Sequence, residues 1–129
     1  MDDLPAPIKP LRPILLVAHA PLASAWMRVL EHTFGVDSPL LRQIGVMDIA
    51  ADEDMTLLQA VISKKLLPDT LVLSDLHGAS PHNAVVSARQ SQPCLSGVSM
   101  ATVIRAVTYR HLDDAALCEK LGQNTVVQS

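Results

Sequence analysis

The stretch ILLVAHAPLASAWMRVLEHTFG, residues 14–35, decides the fold of this chain. Its first five residues, 14–18, are all apolar, which is typical of a short strand that is buried on both faces of a parallel sheet. After His19, apolar residues recur at helical spacing, Pro21 suits the first turn of a helix, and Gly35 is expected to end it. A buried strand that leads directly into an amphipathic helix predicts an α/β fold.

The alternation of strands and helices continues along the chain. Further strands are expected near residues 40–49, 70–74, 93–99 and 124–128. Further helices are expected at about residues 53–67 (capped by Asp52), from Ser80-Pro81 onward, at 100–110 and at 113–122. We predict an open, mostly parallel four-stranded sheet with helices on both faces, in the flavodoxin-like strand order 2-1-3-4. The final strand is predicted to be short and antiparallel.

Composition restricts the class of protein. The 129 residues are 49% hydrophobic and 2% aromatic, and the formal net charge is −3. The length suits one domain with a substantial core. The scarcity of aromatic rings and of basic runs argues against nucleic acid as a partner. Four prolines within residues 1–13 predict a stiff tether, so the single domain is predicted to span residues 14–129.

The sequence also favours one cellular compartment. No cationic segment leads into a signal-like hydrophobic stretch, and no apolar run approaches the ~20 residues of a membrane helix. Cys94 and Cys118 form no CxxC pair and are typical of thiols in a reducing compartment. We therefore predict a cytoplasmic protein with no transmembrane segment.

Two chemically active side chains follow the first and third predicted strands. His19 ends the first strand, and Asp75 ends the third. In the order 2-1-3-4 these strands are neighbours, and they flank the point beyond the carboxyl ends where open α/β sheets bind ligands. We therefore expect His19 and Asp75 to face each other across one crevice.

A histidine beside an aspartate is an oriented imidazole. The carboxylate accepts the N–H of one ring nitrogen, which leaves the other as a nucleophile, a general base or a metal ligand. Gly78 allows the backbone to approach a ligand closely, and Ser80 offers a hydroxyl group. Helices that begin near Pro21 and Pro81 would add free N–H groups, which bind anions. This combination favours a transient phosphohistidine.

Other interpretations stay open at this point. A histidine after a strand is often only a surface residue, and Asp75 could simply cap its turn. His77 and His82 could extend the site or join His19 in a metal cluster, although dense ligand spacing is absent. No GxSxG, GxGxxG or Walker A pattern indicates a hydrolase, a dinucleotide or ATP. We predict no metal ion and no cofactor.

The sequence resembles the mannose-type IIA components of the bacterial phosphoenolpyruvate-dependent sugar phosphotransferase system (PTS). Residues 14–35 resemble the opening strand, active histidine and first helix of that family. LVLSDLHGASPHNA, residues 71–84, is similar to its LVLTDLFGGSPFNAA signature, of which DLxGxSPxN is fairly specific. LSGVSMATVIRAVTYR, residues 95–110, is similar to its VSGVNLPMLLEAL segment.

The resemblance implies roles for four residues. His19 matches the histidine that accepts a phosphoryl group from the phosphocarrier protein HPr, and Asp75 matches the aspartate that hydrogen-bonds it. Gly78 and Ser80 match the loop beside the phosphate. Members also form homodimers that exchange a C-terminal strand, and residues 124–128 are the candidate strand because they have no obvious partner in their own chain.

The resemblance implies a phosphotransferase. We predict that the phosphoryl group passes from His19 to a IIB-type component for sugar uptake, or is held as a regulatory signal. One alternative is a regulatory binding module of an incomplete PTS, whose partner binding depends on phosphorylation of His19. Another is an interaction domain that keeps only the fold. His77, Ala79 and His82 depart from the aromatic and glycine residues usual in the family, which changes the surface that partners would contact.

Overall fold

The structure, a computed structural model, describes residues 12–50, 54–75, 85, 93–121 and 126–128. The strands in this part of the chain are β1 (Ile14–His19), β2 (Ile44–Ile49), β3 (Leu71–Ser74), β4 (Cys94–Ser96) and β5 (Val126–Gln128). The helices in the same residues are α1 (Leu22–Phe34), α2 (Met55–Lys65), α3 (Met100–Thr108) and α4 (Asp114–Leu121), with a 3-10 turn at Pro39–Leu41.

The sheet has the strand order β2-β1-β3-β4-β5. Strands β1 to β4 are parallel, and β5 is antiparallel to β4. These observations confirm the predicted α/β class, the order 2-1-3-4 and the short antiparallel last strand. The expectation that the last strand lacks a partner in its own chain is wrong, because Val127 of β5 lies opposite Leu95 of β4.

Strand β1 lies inside the sheet and is covered on both faces. Its first five residues are each no more than 2% exposed. Successive side chains of a strand point to opposite faces, so Leu16 packs on the side of α1 and α3, and Val17 packs on the side of α2. The continuous apolar run therefore reflects two helical layers, as the sequence predicts.

Helix α1 agrees with its predicted limits. Ala23, Trp26 and Leu30 are its buried residues. Gly35 ends the helix with φ +97°, a backbone conformation that favours glycine, and its N–H donates to the carbonyl of Glu31 at 2.8 Å. Helix α1 has 13 residues, and no helix in the described part of the chain is long and apolar enough to cross a membrane.

Helix α2 begins later than the sequence predicts. Its cap is Asp54, whose Oδ1 accepts the N–H of Leu57 at 3.1 Å. The prediction of Asp52 as the cap is therefore wrong, and Asp52 itself lies outside the described residues. The helix that is predicted from Ser80-Pro81 onward also lies outside them, except for Val85, which is helical and buried.

A buried arginine joins the amino ends of the strands. Arg110 is 0% exposed. Its guanidinium donates to the carbonyls of Arg12 at 3.0 Å, Leu40 at 2.6 Å and Gln43 at 3.5 Å. Burial lowers the pKa of Arg110 to about 10, so the side chain stays charged at neutral pH. Arg12, predicted as part of the tether, is therefore held by the folded domain, whereas residues 1–11 lie outside the described residues.

We expect Arg110→Met to lower the free energy of unfolding by about 3 kcal/mol, because three carbonyls lose a charged donor inside the protein. Urea denaturation at neutral pH measures the change. Arg105→Met is the matched control, since Arg105 is an exposed arginine of α3, and it should shift stability by less than about 0.5 kcal/mol. Equal stability of the two variants would show that the Arg110 contacts contribute nothing to the free energy of unfolding.

Candidate active site

His19 and Asp75 meet at the carboxyl edge of the sheet. Strands β1 and β3 are neighbours, with Val17 opposite Ser74, so the residues at their ends come together. Oδ2 of Asp75 lies 2.6 Å from Nδ1 of His19 and accepts the backbone N–H of His19 at 3.0 Å. One carboxylate oxygen thus holds both the main chain and the ring of the histidine.

The two side chains differ in exposure. The His19 side chain is 44% exposed, and the Asp75 side chain is 8% exposed. An ionised carboxylate only accepts hydrogen bonds, so Nδ1 is the ring nitrogen that carries the proton in the neutral imidazole. The lone pair is then on Nε2. The arrangement is an oriented nucleophile that a second molecule can reach.

The turn after β1 is attached to the end of β2. The N–H of Ala20 donates to the carbonyl of Ile49 at 3.0 Å. The N–H of His19, the last residue of β1, donates to Asp75, which directly follows β3. Two successive residues are thus attached to the ends of two neighbouring strands. The backbone that carries the imidazole is therefore held on both sides.

Asp48 is a candidate functional residue that the sequence analysis missed. Its Oδ1 accepts the N–H of Ser24 at 3.1 Å, and its Oδ2 accepts the hydroxyl of Ser24. Ser24 lies in the first turn of α1. The prediction that the start of α1 offers free N–H groups to an anion is therefore wrong for Ser24. A carboxylate near the end of the strand IGVMDI is the signal that could have indicated it.

The remaining predicted site residues are Gly78 and Ser80, and with them His77 and His82. All four lie outside the described residues. Among the residues that the structure describes, no group of three or more His, Cys, Asp or Glu side chains could hold a metal ion. The described part of the candidate site thus consists of His19 and Asp75 with the contacts that hold them, and of Asp48 with its bonds to Ser24.

The fold and this pair of residues agree with one class of protein. The model of the family described as the PTS system fructose IIA component, EIIA-man, matches residues 13–121. The match covers most of the chain, and the chain belongs to this family of phosphotransferase-system IIA components. Its general role is phosphoryl transfer within that system. The sequence has no match among curated proteins.

Solved PTS structures share the fold. The EIIA component from Streptococcus agalactiae has a TM-score of 0.73 at 21% identity, over 86% of this chain and 89% of its own. The mannose/sorbose-specific IIA subunit from Enterococcus faecalis has a TM-score of 0.71 at 21% identity, over 86% of each chain. The IIA protein associated with the fucose utilization operon of Streptococcus pneumoniae has a TM-score of 0.68 at 19% identity, over 83% of this chain and 85% of its own.

Proposed function

We propose that this chain is a phosphocarrier in which Nε2 of His19 accepts a phosphoryl group from phospho-HPr. The observation that carries the proposal is the 2.6 Å contact between Nδ1 of His19 and Oδ2 of Asp75. Membership of the PTS IIA family supports phosphoryl transfer as the general reaction. The donor, the accepting atom and the roles of the two residues are the finer parts of the proposal.

The transfer begins with the lone pair of Nε2, which attacks the phosphorus of phospho-HPr in line with the bond to be broken. As the new P–N bond forms, the old one breaks and its electron pair returns to the HPr imidazole. The His19 ring becomes cationic because Nδ1 keeps its proton. Asp75 stabilises that charge through the bond it already makes, so little rearrangement is needed.

Gly78 and Ser80 are proposed to bind the phosphoryl oxygens. A hydroxyl group donates one hydrogen bond to an anion, and a glycine allows backbone N–H groups to come close to it. The resemblance of the DLHGASPHN segment to the family signature supports this assignment. No cofactor or metal ion takes part in the proposed reaction.

Two fates are proposed for the phosphoryl group. In the first, His19 passes it to a IIB-type component for sugar uptake. In the second, it remains as a signal that changes which protein the chain binds. A chase of the isolated phosphoprotein with a IIB domain separates them, because only a carrier loses its label to that acceptor. We propose a cytoplasmic location in either case, in keeping with thiols typical of a reducing compartment.

The test of the proposed function is incubation with enzyme I, HPr and labelled phosphoenolpyruvate. The label should reach this chain and be acid-labile and alkali-stable, as expected of a phosphoramidate. Omission of HPr is the control and should prevent labelling. Labelling without HPr would contradict HPr as the donor, and absence of label in the full mixture would contradict the proposed function.

We also propose a homodimer in which β5 is exchanged. The strand is short and pairs at the edge of the sheet, and a second copy can supply the same strand to β4 with the same bonds. Light scattering at micromolar concentration should give twice the mass of one chain, and truncation after Gly122 should weaken the dimer. A monomer under these conditions would contradict the proposal.

A further inference from the structure

We propose that Asp48 is a positioning residue that raises the phosphoryl-transfer potential of His19, because it occupies the start of α1 with a fixed negative charge. This inference rests on the proposed function, since it concerns the phosphorylated form of His19. Asp48 lies on a different strand from His19. Its described bonds go to Ser24, whereas the bond to the imidazole ring comes from Asp75.

The register of the sheet brings Asp48 close to His19. Asp48 of β2 lies opposite Ala18 of β1, and Ile49 lies opposite His19. Neighbouring strands are about 4.8 Å apart and rise about 3.3 Å per residue, so the Cα atoms of Asp48 and His19 are about 6 Å apart. Both residues therefore stand at the carboxyl edge of the sheet, where the phosphoryl group would be held.

The hydrogen bonds of Asp48 hold its negative charge at the start of α1. The start of a helix carries partial positive charge and N–H groups without intrahelical partners. The carboxylate of Asp48 accepts hydrogen bonds from two donors in the first turn of α1, the N–H and the hydroxyl of Ser24. A phosphoryl group on His19 thus finds this end of α1 occupied by a carboxylate. The phosphorylated form gains less stabilisation, and the group is passed on more readily.

A merely structural role for Asp48 predicts a different result. If the bonds to Ser24 only hold α1 in place, their loss slows transfer in both directions and leaves the equilibrium with HPr unchanged. If the charge of Asp48 matters, its loss shifts the equilibrium of phosphoryl exchange from phospho-HPr towards phosphorylated His19. The cationic ring offsets one of the two phosphoryl charges, so phosphorylation adds one net negative charge at His19. For two unit charges about 10 Å apart, the shift is about two-fold at the dielectric constant of water and about 17-fold at the effective value of about 20 that is typical near a protein surface. It decreases at high salt.

The experiment measures the equilibrium constant for phosphoryl exchange between HPr and this chain at low and high ionic strength. Asp48→Asn keeps the size of the side chain and a carbonyl for the Ser24 N–H, but removes the charge. We expect it to favour phosphorylated His19 by about two-fold or more at low salt, and by less at high salt.

Two controls separate charge from contact. Ser24→Ala removes the hydroxyl bond and keeps the carboxylate. Asp37→Asn removes an exposed charge beyond the other end of α1, about 20 Å away along a 13-residue helix. Both should leave the equilibrium within about 1.5-fold of the wild type, since the first keeps the charge and the second lies about twice as far from His19 as Asp48 does.

The outcomes are distinct. An unchanged equilibrium in Asp48→Asn, or a shift towards phospho-HPr, overturns the inference and leaves the proposed function intact. A wild-type chain that accepts no phosphoryl group overturns the proposed function and this inference together. If Asp48→Asn does not fold, the double variant Ser24→Ala/Asp48→Ala removes both partners of the bond and should show the same shift towards phosphorylated His19.

Discussion

Replacement of His19 by alanine is expected to abolish phosphoryl labelling of this chain while leaving it folded. Under the proposed mechanism, no other group supplies the attacking lone pair. The side chain is 44% exposed at a strand end, so its loss removes little buried apolar surface. Asp75 keeps the backbone N–H of residue 19, which does not depend on the imidazole. Autoradiography after incubation with enzyme I, HPr and labelled phosphoenolpyruvate measures the label, and circular dichroism checks the fold.

His32→Ala is the matched control for this variant. His32 is an exposed histidine in the last turn of α1, far from the carboxyl edge of the sheet. The control protein should be labelled to the wild-type extent. Full labelling of the His19→Ala protein would show that the phosphoryl group goes elsewhere, and the assignment of His19 would be wrong.

The second large effect is expected for Asp75→Asn, which should slow phosphoryl transfer by about 10²-fold, or roughly 2.7 kcal/mol. The amide keeps the size of the side chain and can still accept the backbone N–H of His19. It cannot supply the negative charge that stabilises the cationic ring. In serine proteases the corresponding change beside a catalytic histidine lowers turnover by about 10⁴-fold. A smaller loss is expected here because His19 is itself the nucleophile and is partly exposed.

Single-turnover transfer from phospho-HPr measures this effect. Ser80→Ala serves as the comparison, since it removes one proposed hydroxyl donor and should cost less than Asp75→Asn. Binding of inorganic phosphate should survive in Asp75→Asn, because a negative charge near the anion has been removed. A wild-type rate of phosphoryl transfer in Asp75→Asn would contradict the orienting role of Asp75 and leave it only as the cap of its turn.

The fold could be predicted because its signals are local. The run at residues 14–18 indicates burial on both faces, and the spacing after it indicates a helix that Gly35 ends. The cap of α2 could not be assigned in the same way. Asp52 and Asp54 are both good capping residues, and the choice depends on where the chain leaves the sheet. The pairing of β5 likewise depends on the position of β4 rather than on its own sequence.

The central pair of the candidate site could be predicted because strand order brings two strand ends together. The strand order alone predicts that His19 and Asp75 meet, whereas the position of Asp48 depends on the register of β2 against β1. Arg110 was missed for a similar reason. Its partners are three backbone carbonyls from distant parts of the chain. Every residue has a backbone carbonyl, so the sequence does not show which of them lie beside Arg110.

In the proposed function, Nε2 of His19 carries the phosphoryl group. The most direct measurement is a long-range proton–nitrogen correlation spectrum of the wild-type chain, prepared with nitrogen-labelled histidine and phosphorylated by enzyme I, HPr and phosphoenolpyruvate. The proposed mechanism predicts one phosphohistidine, at residue 19, with phosphorus on Nε2 and a proton retained on Nδ1 beside Asp75. Phosphorus on Nδ1, on another residue, or on no residue at all would contradict it.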